Sequence, residues 1–500
     1  MNETASIAGT DIRDRVVISS KSHRARQIGL VALIGSFGVM ILLVVYSRCA
    51  PDCYAASRPT LSLSLSLSLA VILVARGILL GRPITASHAI AAAVLAATGL
   101  TTHLLSFQLL GDGLVACAGL AATWPVPSRR DPAALARVWA LIEETHDDPL
   151  APFAMQSLKS YYFNADGSAA IAYCARLGLA VVSGDPIGQR TRFPQLANEF
   201  ADMCRSRGWR IVVLGCGERC LGLWRDRATV GQSLRPIPIG RDVVIDVGRF
   251  TMAGRKYRNL RQAVQRTRNA GITTEVVDEQ QLDEQLTDEL AEVLYTSHRG
   301  AHVQRGFSMI LDHALEGRYP GVRLIIARDS RGHVQGFQRY ASSGGGTDVT
   351  LDVPWRRPGA PNGIDERLSV DMIEACKRSG GQRLSLAFGA FPELFDNENR
   401  SLTEGIYYVL IHLGRSLIKL ESLYRYLRKF HAFGDRRYVL LSLSHIPIAL
   451  VVLLSLEFMP RRRQFRVRAM PGATELTDPP EGTTDRNRGL LPPDRLRRNR

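Results

Sequence analysis

The chain has 500 residues and carries 63 Lys and Arg against 47 Asp and Glu, a net charge of +16. That length exceeds what one ordinary domain needs, and the basic excess favours anionic partners, either nucleic acid or acidic lipid headgroups. Cys216 and Cys220 lie four apart, but no second pair or histidine cluster completes a metal site, so both read as structural or free thiols.

The first quarter is apolar. Ile28 to Tyr46 gives about 19 apolar residues, enough to cross a bilayer. Arg13, Arg15, Lys21, Arg24 and Arg26 precede it, and no small-residue cleavage site follows, so it reads as an anchor with a cytoplasmic N-terminus. Cys49 and Cys53 flank its far side, where an exported disulfide could form. The second run is Leu61 to Leu80. Its start alternates Leu and Ser, which in water suggests a strand, but a lone strand in lipid leaves its backbone unpaired, so a helix is expected. Arg76 and Arg82 mark its inner end. Two further runs follow, Ile84 to Leu105 and Leu110 to Trp124, with His103, Ser106, Gln108 and Asp112 near the turn between them. Arg129 and Arg130 mark a return to the cytoplasm. Four crossings satisfy the charge rule at every inner loop. The expectation is a cytoplasmic basic N-terminus (1–27) and a transmembrane helical bundle (28–126), in a multi-pass cell-membrane protein with a cytoplasmic soluble domain.

From Asp131 to Pro460 strand-like and helix-like segments alternate. Ala169 to Ala175 and Leu177 to Ser183 read as antiparallel strands, Pro194 to Arg207 as a helix, and Arg210 to Gly215 as a strand. A second set has a helix from Lys256 to Asn269, a strand at Thr273 to Val277, and a helix from Gln280 to Tyr295. Strands at Val322 to Arg328, Val334 to Tyr340 and Asp348 to Asp352 follow, then a helix from Ile364 to Ser379 and a strand from Arg383 to Ala387. Two mixed α/β units are the natural reading, 131–255 and 256–460. Tyr438 to Met459 is apolar, but as a span it would export Arg461, Arg462 and Arg463, and it contains Pro447 and Glu457. It reads as the end of the soluble region. Residues 461–500 read as a disordered basic tail.

Four motifs stand in order along this region. They are Ser183-Gly184-Asp185-Pro186-Ile187-Gly188; Phe250 with Gly254-Arg255-Lys256-Tyr257-Arg258-Asn259-Leu260-Arg261-Gln262-Ala263; Leu351-Asp352 with Arg356-Arg357 and Ala360-Pro361-Asn362-Gly363; and Leu420-Glu421-Ser422-Leu423-Tyr424-Arg425 with Lys429-Phe430 and Arg436-Arg437-Tyr438. Together they resemble the phosphatidylglycerol lysyltransferase family, in the branch fused to a lysyl-tRNA synthetase. The resemblance implies two acetyltransferase-like (GNAT-type) units in tandem. It also implies transfer of an amino acid, lysine by default, from aminoacyl-tRNA to a hydroxyl of phosphatidylglycerol, without metal or acetyl-coenzyme A. The chain has no room for a synthetase domain and too few helices for the family's flippase part. Charged tRNA would come from an external synthetase, and any flipping from a separate protein.

Aminoacyl-tRNA is an activated ester, so the transfer needs positioning, a proton acceptor and help for the oxyanion. Asp352, at the expected end of its strand, suits the amino acid's ammonium. Asp365, after the Pro361-Asn362-Gly363 turn, suits either substrate or a helix N-terminus. Arg356 and Arg357 suit phosphate. Lys429 and Arg437 fall on the family's basic positions, and Glu421 and Tyr424 on its LExLYR motif. Arg258 and Arg261 lie on a basic amphipathic helix that suits lipid headgroups or tRNA phosphate. Asp352, Arg356, Lys429 and Arg437 are the candidate catalytic set; the others are candidate substrate contacts. The chain departs from the family pattern at Trp355, at Ala432 and Gly434, and at Ala387 to Phe391. A non-catalytic lipid- or tRNA-binding regulator and an aminoacyltransferase of peptidoglycan precursors remain the alternative readings.

Overall fold

Hydrophobic spacing along the chain is converted into structure in a computed structural model that describes residues 16–18, 23–49, 51–297, 303–304, 306–390, 417–457 and 461–462. The elements named below lie within the unit Met1–Arg461. Of the expected tail, 461–500, residues 463–500 lie outside the described residues, as do residues 391–416. So do the side chains of Cys49, Cys53 and Glu421.

The four apolar runs form helices α1 (His23–Cys49), α2 (Pro51–Leu79), α3 (Ala86–Leu104) and α4 (Gln108–Ala122). The Leu–Ser alternation lies inside α2. Two segments, Gln27–Val45 and Thr60–Leu79, are long and apolar enough to cross a membrane by length and composition. The 15 residues of α4 span about 22 Å at 1.5 Å each, short of a roughly 30 Å hydrocarbon core. The third run starts differently from the expectation: Ile84–Thr85 pairs as a short strand with Val16–Ile18, and the helix begins at Ala86. Small residues let the helices touch, as lipid-embedded helices do. A Cβ at Gly119 would fall 2.4 Å from the Ala70 carbonyl oxygen, and one at Gly111 would fall 2.6 Å from that of Gly99.

After helix α5 (Leu135–Glu143), the remainder of the chain builds one mixed sheet. Its strands are β1 (Ser160–Phe163), β2 (Ala169–Arg176), β3 (Leu179–Ser183), β4 (Arg210–Gly217), β5 (Arg235–Asp246), β6 (Thr273–Asp278), β7 (Val322–Arg328), β8 (Val334–Ser343), β9 (Asp348–Arg356), β10 (Arg383–Ala390) and β11 (Phe433–Leu441). They stand in the order β1-β2-β3-β4-β11-β5-β10-β9-β8-β7-β6, and Ile187–Gly188 adds a short strand against β2. Each half contains one parallel pair among antiparallel neighbours, β3 with β4 and β9 with β10. The β9–β10 pairing runs only from Asp348 to Thr350, although both strands continue, so the pair splays.

Helix α6 (Phe193–Ser206) buries Phe193, Leu196, Ala197, Phe200, Ala201 and Cys204, the spacing of one helical face, on the first half. Helices α7 (Arg258–Asn269) and α9 (Ile364–Arg378) cover the second half, α7 burying Leu260, Ala263 and Val264 while its arginines point outward. Helix α8 (Glu284–Thr296) starts later than Gln280. The Asp283 carboxylate accepts from Leu286 N at 2.7 Å and fixes the cap there.

The seam between the halves departs most from expectation. β5, which precedes the expected boundary at 255/256, pairs with β10 of the second half. β11, near the C-terminal end, inserts between β4 and β5 and pairs with both. Pro236, Pro238 and Gly240 argue against a strand in sequence. They are tolerated because β5 pairs with β10 only from Gly240 onward, leaving the proline half bonded on one side, to β11.

Candidate active site at the seam

Arg437 projects from β11 into a ring of carboxylates supplied by both halves. Its Nη2 donates to Asp148 Oδ1 at 2.7 Å, its Nε to Asp242 Oδ2 at 2.8 Å, and its Nη1 to Asp185 Oδ2 at 3.3 Å and to the Gly215 carbonyl at 3.1 Å. Asp148 follows α5, Asp185 sits in the turn after β3, and Asp242 lies within β5. The turn needs Gly184, whose φ is 73°. Gly217 is needed where it stands, since a Cβ there would lie 2.5 Å from Asp185 Oδ2. Its N–H donates to Asp185 Oδ1 at 3.0 Å.

One guanidinium therefore faces three acids. Burial opposes charge on Arg437, but Asp148, Asp242 and Asp185 outweigh it and hold the group protonated well above its usual range. Burial pushes the Asp185 carboxyl up to about 6 against the pull of Arg437, and burial also raises Asp242. Two buried oxygens, Asp148 Oδ2 and Asp242 Oδ1, have no hydrogen-bond partner among the described residues. Buried carboxylate oxygens are ordinarily paired.

Both acids line a cavity of about 470 Å³ that also meets Asp147, Asp185, Glu218, Asp226 and Asp435. A second cavity of about 180 Å³ shares Asp147, Asp148, Arg219, Asp242 and Asp435 with it and continues to Asp348 and Arg383 at the parallel pair. Arg383 pairs with Asp147 and donates to Asp348 Oδ1 at 2.5 Å. The size suits a small-molecule group, and the surplus of acids suits a cationic one. Cys216 is buried on β4 and half-buried Cys220 lines the larger cavity. Burial pushes both thiols up, with Asp185 adding to the effect.

The remaining expected residues are distributed as follows. Asp352 is not at a strand end, because β9 continues to Arg356. It sits in a closed cluster: Oδ2 accepts from Arg339 Nη1 at 2.9 Å and Oδ1 from Leu311 N at 2.9 Å. Glu279 completes the cluster, accepting from Arg339 Nη2 at 2.8 Å and Leu315 N at 2.6 Å. All three side chains are fully buried. Burial pushes the Asp352 carboxyl up to about 6, opposed by Arg339. Arg356, Asp365 and Lys429 come together at the start of α9. Arg356 Nη1 stands 3.8 Å from Asp365 Oδ2, and Lys429 pairs with Glu366. Gly363 caps α9 with φ 101°, and two acids in its first turn suit the helix dipole.

Arg357 is bidentate to Glu292 at 2.7 and 2.9 Å. Tyr424 is buried, its ring 5.9 Å from that of Phe433. Arg261 donates to the carbonyls of Met252 and Gly254, and Arg258 is exposed in the first turn of α7. Glu421 lies on helix α10 (Leu417–Arg428). Asp148 and Asp242 escaped the sequence reading. Asp242 had one signal, an acid inside a β-branched run where strands disfavour it. Asp185 was visible in its motif, but only as a turn.

A family model described as phosphatidylglycerol lysyltransferase, C-terminal, matches residues 139–441. An MprF-like domain protein of Mycobacterium tuberculosis is 58% identical over 451 residues, 90% of this chain and 93% of that one. The lysylphosphatidylglycerol biosynthesis bifunctional protein LysX of Rhodococcus jostii is 29% identical over 318 residues, 60% of this chain but 27% of its own length. This chain thus spans about a quarter of that relative. Among solved structures, L-PGS from Bacillus licheniformis is similar with a TM-score of 0.56 and 19% identity, over 66% of this chain and 98% of that one. A C-terminal DUF2156 domain from Agrobacterium fabrum gives 0.56 and 20%, over 67% and 100%. At those identities the structures speak for the fold.

Proposed function

The chain belongs to the phosphatidylglycerol lysyltransferase C-terminal family, a family of aminoacyltransferases, and from that premise we propose that it moves an amino acid from aminoacyl-tRNA to a hydroxyl of phosphatidylglycerol. The observation that carries the reading is the pair of unpartnered buried oxygens, Asp148 Oδ2 and Asp242 Oδ1, in an acidic cavity. An ammonium supplies the donors those oxygens lack. Every aminoacyl group carries one, and a lysyl group carries two.

In this reading the seam holds the aminoacyl group. Asp148 and Asp242 accept from its ammonium, while Arg437 fixes both carboxylates in place. The lipid hydroxyl attacks the ester carbonyl, the terminal ribose oxygen of the tRNA leaves, and the hydroxyl proton passes to that oxygen. One ester replaces another. Asp185 is suited to relay the proton, since burial brings its carboxyl to about 6, near the operating pH of a general base. Arg356 and Lys429, together at the start of α9, suit the phosphate of lipid or tRNA. α1 and α2 anchor the chain as membrane spans, α3 and α4 complete a four-helix bundle, and the arginines at their ends support a cytoplasmic position for the rest of the chain. Charged tRNA comes from an external synthetase.

Lipid extracts of cells expressing this chain, fed radiolabelled lysine, alanine and arginine separately, test the reading. A labelled phospholipid that disappears in Asp242→Asn supports it and identifies the amino acid. An unlabelled lipid fraction from a well-expressed, membrane-inserted chain counts against it. Label in a peptidoglycan precursor would move the acceptor.

A further inference from the structure

Helix α11 (Ile446–Glu457) is apolar on both sides. Ala449, Val452 and Leu456 are buried with Leu179, Val181, Val212 and Leu214 of β3 and β4. On the other side Ile446, Ile448, Leu450, Val451 and Leu454 are 40% to 58% exposed. A helix that is apolar all round is one covered on both sides, and a water-facing surface rarely keeps so continuous a patch.

The position of α11 says what covers it. Arg176, at the end of β2, donates to Ser455 Oγ of α11 at 3.2 Å. The turn that follows Arg176 abuts the chain where it leaves α2 and α4. A Cβ at Gly178 would lie 3.4 Å from Arg82 Nη2 and 3.5 Å from Pro125 Cγ. Gly208, in the turn before β4, meets the same place, with its Cβ position 2.8 Å from Arg82 Cα. The end of the sheet at which β3 and β4 begin, beside α11, is therefore the end that rests against the chain leaving α2 and α4. The 12 residues of α11 reach about 18 Å, too short to cross the bilayer. Its C-terminal end is fixed in protein: the Glu457 carboxylate accepts from Phe307 N at 3.1 Å and from Ser308 N at 3.0 Å.

We propose that the exposed face of α11 lies in the cytoplasmic leaflet, among acyl chains just beneath the headgroups, as a second and in-plane membrane attachment of the soluble region. Arg176 beside it meets anionic headgroups. The inference rests on the reading of α1 and α2 as membrane spans. It fixes the tilt of the soluble region. β3 and β4 start at the leaflet, and the seam cavity at their far ends stands about 17 Å above it, at 3.3 Å for each of the five residues of β3.

The full chain, reconstituted in vesicles of phosphatidylglycerol and phosphatidylethanolamine, provides the test. An environment-sensitive fluorophore is placed at Leu454→Cys and, separately, at Lys377→Cys on the exposed side of α9, each read against the unsubstituted chain treated identically. The expected result is a blue-shifted emission at position 454 that is lost when the acyl chains are brominated, with neither effect at 377. Val451→Cys gives an independent reading should Leu454→Cys fail to fold. A chain that floats with the vesicles but whose 454 label is no more quenched than the 377 label overturns the proposal. So does a 454 label shielded from aqueous iodide yet blind to brominated lipid, because protein then covers the face. A chain that does not float at all fails the membrane reading itself.

Discussion

Two buried arginines organise this molecule, and they do so in opposite ways. Arg339 meets Asp352 and Glu279, and all four oxygens of those acids are taken, two by the guanidinium and two by the backbone N–H groups of Leu311 and Leu315. Arg437 meets Asp148, Asp185 and Asp242, and two of those oxygens remain unpartnered on a cavity. In the first cluster every carboxylate oxygen is taken, the buried Nε of Arg339 alone being left without a partner among the described residues, and the cluster ties β6's flank, β8 and β9 together. The second sets three carboxylates against one guanidinium and opens on a cavity. A buried charge cluster is costly unless its geometry and hydrogen bonds are complete, and the two oxygens left open on the cavity are the ones the proposed ammonium would satisfy.

The comparison breaks most sharply with the arginines themselves. Arg339→Met leaves two acids buried without a counter-charge and should lower stability by about 3–5 kcal/mol, read as a shift of the denaturant midpoint. Asp352→Ala should act in the same way, losing folded protein while the surviving fraction keeps its KM for the donor. If Asp352→Ala folds normally and loses only donor affinity, the closed cluster is a binding site and the comparison fails.

Asp242→Asn sharpens the contrast. The amide keeps an oxygen for Arg437 Nε but removes charge from the cavity. Losing a charged hydrogen bond to the ligand costs about 1.5–3 kcal/mol, so KM for aminoacyl-tRNA should rise by roughly ten- to 150-fold with little change in melting temperature. Equal losses of stability and activity would instead place Asp242 in a structural cluster like that of Arg339.

The pH dependence separates binding from folding. Burial lifts Asp185 from 3.8 to about 6 in the folded chain. The folded state then holds this proton more tightly than the unfolded one, so the group costs stability above that value and the cost fades as pH falls toward about 4. Binding runs the other way, because the cavity gains negative charge as pH rises through about 6. The stability contributed by this group should therefore fall between about pH 4 and about pH 6, and donor affinity should rise as the carboxyl ionises through about pH 6. Asp185→Asn should flatten both trends in kcat/KM and melting temperature.

The smallest expected effect is at Arg357. Its pair with Glu292 is geometrically good but half in water, and exposed pairs contribute at most about 1 kcal/mol. Arg357→Ala should shift the melting temperature only slightly.

The parts of the fold set by local pattern could be read in advance. β7 was expected from Val322 to Arg328 and stands there, and the faces of α6 and α7 follow from apolar spacing. The seam could not be read, because β5 hides behind two prolines and a glycine, and β11 travels across the sheet to reach its partners. The site shared that fate. Arg437 carried a motif signal, whereas its partners lie 195 to 289 residues away in sequence, and no local pattern encodes such a distance. Asp352 is the converse case: it carried a motif signal, and its oxygens are taken by Arg339 and by Leu311 N.

The most direct test of the central claim is transfer from radiolabelled lysyl-tRNA to phosphatidylglycerol vesicles by the purified full chain, beside Asp242→Asn and Asp148→Asn variants of matched melting temperature. The account predicts labelled lipid from the parent chain and a loss in both variants that added donor partly restores. Labelled lipid formed equally by all three would remove the aminoacyl group from the seam.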